Sequence, residues 1–288
     1  EETGDLAAAE TEGRRAIELQ PEDPWSIHAV AHVLEMQDRN RDGIDWISGL
    51  EPHWSGCNNF RYHLWWHLSL MHFGRGEYDR VLALYDEKIW DPASDEYLDL
   101  CNDASLLQRL EIVGVNVGDR WQQLAFKVRS RLDEHLLAFI DAHYMMAAAA
   151  TDDRSAATLL GSLQHYARKR SDTNAGISAE VAVPLCEGLL AYRKGAYRRA
   201  VDLMEPIRYD IRRIGGSNAQ RDVFALVLVD AAIKSGRLTL ARALLAERTA
   251  LAPNDAWNWQ MLAKVLHRLD DGAAAARVET RLQAALAG

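Results

Sequence analysis

One phrase recurs along the chain and constrains its fold more than any other feature. A glycine at a turn is followed by a helix of small residues that usually stops at proline. The four copies are "GDLAAAETEGRRAIELQPED", "GEYDRVLALYDEKIWDP", "GAYRRAVDLMEPI" and "GRLTLARALLAERTALAPND". A second apolar helix precedes each of the last three copies. Each helical hairpin leaves an apolar face that a neighbouring hairpin must cover, so the pattern predicts a stack of hairpins.

Helix A, turn, helix B is the pattern of tetratricopeptide repeats, whose ideal period is about 34 residues. We predict an all-α protein, a single right-handed α-α superhelix over 1–288, whose A helices line a concave binding face. Alanines near 7–9, 200 and 241–243 should let the B helices approach the A helices. An opening B helix is predicted at 4–20, followed by about seven A/B pairs at 25–50, 59–90, 98–131, 133–170, 178–214, 218–251 and 255–286.

Composition and charge exclude several classes of protein. The net charge is −9, from 33 Lys and Arg against 42 Asp and Glu, so no basic surface for nucleic acid is expected. The three cysteines have no CxxC spacing, which argues against a disulfide framework and predicts a reducing compartment, the cytoplasm. The apolar runs are too short or too interrupted to span a bilayer, so no membrane partner is expected.

Two histidine pairs at helical spacing, "HAVAH" and "HLWWH", predict a polar site. His28 and His32 share a stripe of the first A helix that is separate from its apolar face, and His63 and His67 share a stripe of the next. The apolar face of the first helix is predicted to consist of Ile27, Val30, Ala31 and Leu34. Spacing of i and i+4 suits metal ligands and proton-transfer couples. We predict these four histidines as catalytic residues and, where a divalent metal such as zinc is bound, as its ligands.

A third A helix, "LDEHLLAFIDAHYMMA", carries His135 and His143, which are predicted to share one stripe. Between it and the earlier pairs, Asp99 and Asp103 form a like-charge pair four residues apart. If consecutive A helices line one groove, six histidines and at least one carboxylate converge there. We predict His143 as a further catalytic residue, and His135 and Asp99 as ligand-binding residues.

The stretch "GGSNAQRDVF" contains a further candidate site. Ser217 and Gln220 have the spacing of a capping box at the start of a helix. Arg221 falls in the first turn of that helix, where a cation opposes the helix dipole and needs a partner, either a nearby aspartate or an anionic ligand. We therefore predict Arg221 and Asn218 as ligand-binding residues.

Six strings together closely resemble the tetratricopeptide repeat protein 38 family, which has bacterial and animal members. They are "DPWSIHAVAHVLEM", "HLWWH", "GVNVGDRW", "EHLLAFIDAHYMMA", "VPLCEGLLA" and "PIRYDIRRIGGSNAQRDVF", and the likeness covers about 4 to 252. By this resemblance the candidate histidines, Asp99 and the segment 215–222 fall on family motifs, whereas Asp103 fits less well. The family also carries a helical region upstream, so we expect these residues to be the later part of a longer protein. The resemblance implies a fold and no reaction.

Three interpretations of function follow. The first is a cytoplasmic binding protein whose histidine-lined groove accepts a peptide, a protein or a small anionic ligand. The second is an enzyme in the same groove, where an imidazole acts as general base or several hold a divalent metal that activates water. The zinc-protease motif HExxH is absent, because 28–32 reads HAVAH. In the third, the histidines are structural and a partner binds elsewhere. A homo-oligomer is compatible with all three.

Overall fold

A computed structural model of the protein describes residues 4–169 and 171–287. Every regular element within these residues is helical, which confirms the all-α prediction. The α-helices are α1 Leu6–Leu19, α2 Pro24–Met36, α3 Asn40–Gly49, α4 Glu51–Trp54, α5 Phe60–Gly74, α6 Tyr78–Leu84, α7 Tyr97–Ile112, α8 Arg120–Val128, α9 Ala138–Thr151, α10 Asp153–Lys169, α11 Thr173–Ile177, α12 Val183–Arg193, α13 Tyr197–Met204, α14 Asn218–Lys234, α15 Leu238–Leu251, α16 Ala256–Arg268 and α17 Gly272–Ala287. Short π-helical turns follow α6 at Tyr85–Ile89 and precede α12 at Ser178–Ala182.

Turn and cap residues begin and end the helices where the sequence predicts. Gly76, Gly195 and Gly236 follow α5, α12 and α14 with φ of +75°, +74° and +77°, a left-handed backbone that glycine adopts without strain. At the start of α14 the Ser217 hydroxyl accepts from the backbone N–H of Gln220, and the Gln220 side chain accepts from the backbone N–H of Ser217. The predicted capping box is thus confirmed.

The helical hairpins follow the predicted order. After α1, the pairs α2 with α3, α5 with α6, α7 with α8, α9 with α10, α12 with α13 and α16 with α17 pack together. The predicted start of the fourth pair is wrong, because α9 begins at Ala138 and His135 precedes it with φ of +46°. A left-handed residue cannot continue a right-handed helix. His135 and His143 therefore do not share a helical stripe.

The helices form two compact units. The first unit comprises Glu1–Asp91 and Leu238–Gly288, which contain α1 to α6 and α15 to α17. The second unit comprises Pro92–Arg237, which contains α7 to α14. The predicted pair at 218–251 is divided between the units, since α14 belongs to the second and α15 to the first. The single right-handed superhelix over 1–288 stays a prediction.

Within the first unit, glycines set how closely neighbouring helices pack. A Cβ atom on Gly13 of α1 would lie 2.6 Å from Cγ2 of Val30 in α2. A Cβ atom on Gly43 of α3 would lie 2.7 Å from the sulfur of Met71 in α5. The sequence assigned the approach of the first helix to the alanines at 7–9, but Ala7 and Ala8 are exposed. Gly13 makes that contact instead.

Burial confirms the apolar face predicted for α2, and two of the alanines named on the later helices are also buried. Apolar side chains at helical spacing are expected to leave water together, because burying them is the main favourable term in folding. The fully buried residues are Ile27, Val30, Ala31 and Leu34 of α2, Ala200 of α13 and Ala241 of α15.

In the second unit, α7, α9, α12 and α14 pack in succession, and α14 also packs on α7. The Arg109 guanidinium fixes this last contact, because it donates to the backbone carbonyl of Ala219 at 2.6 Å. These four helices therefore surround a core within this unit, and a concave face lined by the A helices stays a prediction. That core contains buried polar residues, namely Asn102, Asp103, Ser105, Gln108, Arg109, Asp141, His143 and Ser178.

Two further observations bear on the expected compartment. Cys57, Cys101 and Cys186 are all free thiols, as their number and spacing predict. Among the described residues, one helical run, Thr173–Arg193, is long and apolar enough to cross a membrane. Of its most apolar window, 56% is buried inside the protein, as in the core helices of folded domains.

Candidate metal centre

The two histidine pairs of the first unit form one cluster. The Nε2 atom of His28 lies 3.0 Å from the Nε2 atoms of both His32 and His63. His67 completes the group, with ring centroids 4.5 Å from His32 and 4.7 Å from His63. Each of the four residues offers one ring nitrogen, and these four nitrogens all lie within 4.8 Å of one another. Because α2 packs on α5, two stripes that the sequence places on separate helices meet at one point.

Burial differs across the cluster. His67 and His32 are 0% and 2% exposed, whereas His28 and His63 are partly exposed. Among the described residues neither ring nitrogen of His67 finds a hydrogen-bond partner, and Nδ1 of His32 finds none. Buried polar atoms in folded proteins are nearly always satisfied. A bound cation would supply a partner for one nitrogen of the buried His67, beside the Nε2 atoms of His28, His32 and His63.

The environment keeps three of the four imidazoles neutral, those of His28, His32 and His67. Burial, reinforced by the neighbouring histidines, lowers the pKa of His28 to about 2 and that of His32 to about 3. The pKa of His67 is well below its usual range for the same reasons. At neutral pH these three rings are thus uncharged and keep the nitrogen lone pair that binds metals. Groups with such low pKa values are weak general bases near pH 7.

The dimensions of the cluster suit a metal ion. A Zn–N bond of about 2.0–2.1 Å puts two ligands of one ion about 3.3 Å apart in a tetrahedron and at most about 4.2 Å apart. Two of the nitrogen pairs are 3.0 Å apart, close to the tetrahedral spacing, whereas the bound of 4.8 Å on the widest spacing exceeds it by about 1.5 Å. Side chains must rotate by that amount for all four nitrogens to bind one ion. The four histidines can therefore hold a transition metal.

Aromatic rings border the cluster. The indole of Trp66 stacks on His63 with centroids 5.2 Å apart, and the Phe60 ring lies 5.1 Å from that of His28. Trp25, which the sequence argument did not single out, contacts Phe60 at 4.3 Å and is 66% exposed. The indoles of Trp46 and Trp54 donate to the backbone carbonyls of Ile27 in α2 and Ile47 in α3. The accessible side of the cluster thus carries an aromatic rim, Trp25 and Phe60.

The four rings of the cluster pack directly against one another, with centroids 4.4–4.9 Å apart. A cleft of the same unit, bordered in part by Asp38, Arg75 and Trp257, includes none of the four histidines. His72, also on α5, lies outside the cluster and donates from Nδ1 to Glu77 at 2.5 Å. The space between the four rings fits a single ion better than a peptide.

The second unit holds the other candidate histidines, each with its own partners. His135 contacts Asp141 at 3.0 Å and Ser162 at 2.8 Å. Nδ1 of His143 donates to the carbonyl of Phe139 at 2.8 Å, and burial lowers the pKa of His143 to about 3.

Of the two candidate carboxylates, Asp99 accepts from the Ser94 hydroxyl at 2.7 Å. Asp103 is fully buried, and that burial raises its pKa well above the usual range. The two groups thus lie in different environments, although they are one helical turn apart. Neither belongs to the cluster of four histidines.

Arg221 finds its partners close by in the chain. Its guanidinium donates to the carbonyls of Gly215 and Gly216 and to the side-chain oxygen of Asn218 at 2.7 Å. Oxygen atoms of the preceding turn and of Asn218 thus help to compensate a cation in the first turn of a helix. The binding of an anionic ligand by Arg221 and Asn218 stays a prediction.

No family model matches the chain. The likeness to the tetratricopeptide repeat protein 38 family stays a prediction from the quoted strings. Function is therefore argued from the geometry of the site.

Proposed function

We propose that the protein binds one divalent transition-metal ion, zinc first among the candidates, through His28, His32, His63 and His67. The observation that carries the proposal is the convergence of four ring nitrogens within 4.8 Å around the buried His67, whose nitrogens have no protein partner among the described residues. Imidazole donors suit zinc, copper, nickel and iron, whereas magnesium and calcium prefer oxygen.

The donor set also indicates what the metal would do. Four neutral ligands leave the double positive charge of the ion uncompensated, and such a centre attracts an anion or lowers the pKa of a bound water molecule. The partly exposed His28 and His63 lie on the side that solvent can reach, beside the exposed ring of Trp25. The function that fits best is a metal centre that binds a small anionic ligand at this side, with metal-assisted hydrolysis as the reaction it would support.

The other sequence-based interpretations have less support. A peptide groove lined by all six histidines requires free rings, yet His135 and His143 bond to groups of their own unit. Acid–base catalysis without metal requires a pKa near neutrality, whereas burial holds the pKa of His28 at about 2. We also propose that the protein is cytoplasmic and that it forms a homo-oligomer.

Metal analysis of the purified protein tests the proposal. We expect one equivalent of transition metal per chain and, after exchange with Co²⁺, visible absorption bands of a nitrogen-ligated ion. The double variant His28→Ala/His63→Ala should lose both signals while keeping its helical circular dichroism. His72→Ala is the matched control, because His72 lies on the same helix and bonds only outside the cluster. Metal-free wild-type protein that fails to bind Co²⁺ would overturn the proposal.

A further inference from the structure

The second unit contains a hydrogen-bonded group of three side chains, those of Ser162, His135 and Asp141. Nδ1 of His135 is 3.0 Å from Oδ1 of Asp141, and Nε2 of His135 is 2.8 Å from Oγ of Ser162. A hydroxyl, an imidazole and a carboxylate joined in this order are the three parts of an activated serine. Asp141 and Ser162 stand 6 and 27 residues from His135, so no local spacing in the sequence predicts the contact.

The buried carboxylate of Asp141 fixes the tautomer of His135. The side chains of His135 and Asp141 are 4% and 3% exposed, so their contact is shielded from water. Because a carboxylate only accepts, Nδ1 of His135 carries the hydrogen and donates it to Asp141. Nε2 is then the acceptor, and the Ser162 hydroxyl donates to it. This is the tautomer in which an imidazole removes a proton from serine.

The backbone holds His135 in a costly conformation. Its φ of +46° lies in the left-handed region, which is uncommon for any residue other than glycine. The amide of Asn174 donates to the carbonyl of His135 at 3.0 Å and accepts from the backbone N–H of Ala138 at 3.1 Å. The Tyr166 ring stacks on the imidazole with centroids 5.2 Å apart. Several contacts thus hold the ring toward Ser162.

The serine is accessible from solvent. Ser162 lies on α10 and is partly exposed, and its neighbour Gly161 is exposed with open space where a side chain would be. Leu136 and Leu137, which follow His135, are 55% and 45% exposed. Exposed leucines beside a polar group offer an apolar surface to part of a ligand.

We propose that Ser162, His135 and Asp141 form a nucleophilic site that takes an acyl group from small esters with an apolar acyl chain. The Ser162 oxygen bonds to the ester carbonyl carbon while its proton passes to Nε2 of His135. The ester C–O bond then breaks, and the departing alkoxide takes that proton and leaves as the alcohol. Water attacks the acyl-serine, its proton passes by way of Nε2 to the Ser162 oxygen, and the carboxylic acid is released. Asp141 is a positioning residue, because it acts only through His135.

This site is independent of the metal centre. None of its residues belongs to the four-histidine cluster, and its chemistry needs no cofactor other than water. Metal content tests the proposed metal centre and serine reactivity tests the proposed nucleophilic site, so the failure of one proposal would leave the other unaffected.

A fluorophosphonate probe tests the site on the full chain. The serine oxygen bonds to phosphorus, the P–F bond breaks, and fluoride leaves with the serine proton. We expect one adduct per chain by intact mass, located at Ser162 by peptide mapping and absent in Ser162→Ala. Ser171→Ala is the control, because Ser171 is an exposed serine just beyond α10 and should label as the wild type does.

The dependence on His135 and Asp141 separates an activated serine from a merely accessible one. His135→Gln and Asp141→Asn should each slow labelling of Ser162 about 100-fold or more, with unchanged metal content and circular dichroism. Hydrolysis of p-nitrophenyl butyrate should fall in parallel. No adduct on the wild-type protein, or equal labelling rates in His135→Gln and wild type, would overturn the proposal.

Discussion

His67 lies in the middle of α5 with no exposed surface and with both ring nitrogens unsatisfied among the described residues. An unsatisfied buried polar group costs about 1–3 kcal/mol. In the metal-free protein this residue therefore destabilises the fold relative to an apolar side chain of similar volume. A bound ligand would supply the missing interaction. Functional sites often retain residues that lower the stability of the ligand-free protein.

Replacing His67 by leucine tests whether this residue lowers stability and is required for metal binding. We expect His67→Leu to raise the free energy of unfolding of the metal-free protein by about 1 kcal/mol or more, while abolishing stoichiometric metal binding. Urea unfolding in the presence of a chelator measures the first effect, and metal analysis measures the second. A metal-free His67→Leu protein less stable than wild type would show that the imidazole already contributes to packing.

His143 predicts a loss of stability in acid. Burial lowers its pKa in the folded protein to about 3, against about 6.5 in the unfolded chain. Between these values the unfolded chain binds the proton and the folded protein does not, so this contribution is fully present above pH 6.5 and is lost as the pH falls. From pH 7.5 to pH 5 the loss attributable to this residue is about 2 kcal/mol.

The variant His143→Leu should lack that part of the acid loss. The measurement is urea unfolding at pH 7.5 and pH 5 for the variant, the wild type and His165→Gln, whose histidine is exposed on α10. His165→Gln should lose stability in acid as the wild type does. An equal acid loss in His143→Leu and wild type would show that other groups account for it.

At the scale of the helix, the spacing of apolar residues correctly predicted the faces of α2 and α5 that carry the four clustered histidines. It wrongly predicted that α9 includes His135. The phase of α2 and α5 follows from apolar residues three and four apart, so the stripes of His28 and His63 could be placed from sequence alone. The same argument placed His135 on a helix, because "LDEHLL" has helical composition, yet its backbone is left-handed. Periodicity contains no information on tertiary contacts such as that between His135 and Ser162.

Helix spacing in the first unit depends on Gly13. Gly13→Ala would put a methyl group 2.6 Å from Cγ2 of Val30, so α1 and α2 must separate. We expect a loss of about 1–3 kcal/mol in unfolding free energy. Because Val30 lies between His28 and His32, the affinity for Co²⁺ should fall as well.

Gly49→Ala is the matched control for this substitution. Gly49 ends α3 with nothing within 4 Å of a Cβ atom, so alanine there should be neutral or stabilising by up to about 1 kcal/mol. Equal effects of the two substitutions on stability and on Co²⁺ affinity would mean that contact with α2 is not what Gly13 provides.

At the scale of the whole molecule, the two proposed sites belong to different compact units. The metal ligands all lie in Glu1–Asp91, part of a unit built from two separate stretches of the chain. The serine site lies in Pro92–Arg237, a continuous stretch whose inner helices close around their own core. The sequence presented these helices as one uninterrupted series, because every hairpin follows the same local pattern. Which helices close on one another depends on contacts such as that of Arg109 with Ala219.

This division predicts how metal affects unfolding. A ligand that binds only the folded state stabilises the unit that holds it, by about 2.7 kcal/mol at a free concentration of 100 times its Kd. Differential scanning calorimetry with zinc, compared with chelator, should therefore show two transitions, of which zinc moves only one to higher temperature. In the His28→Ala/His63→Ala variant neither transition should respond to zinc, whereas in Ser162→Ala the response should match wild type. A single transition that zinc moves as a whole would show that the two units unfold together, since stabilising one would then protect both.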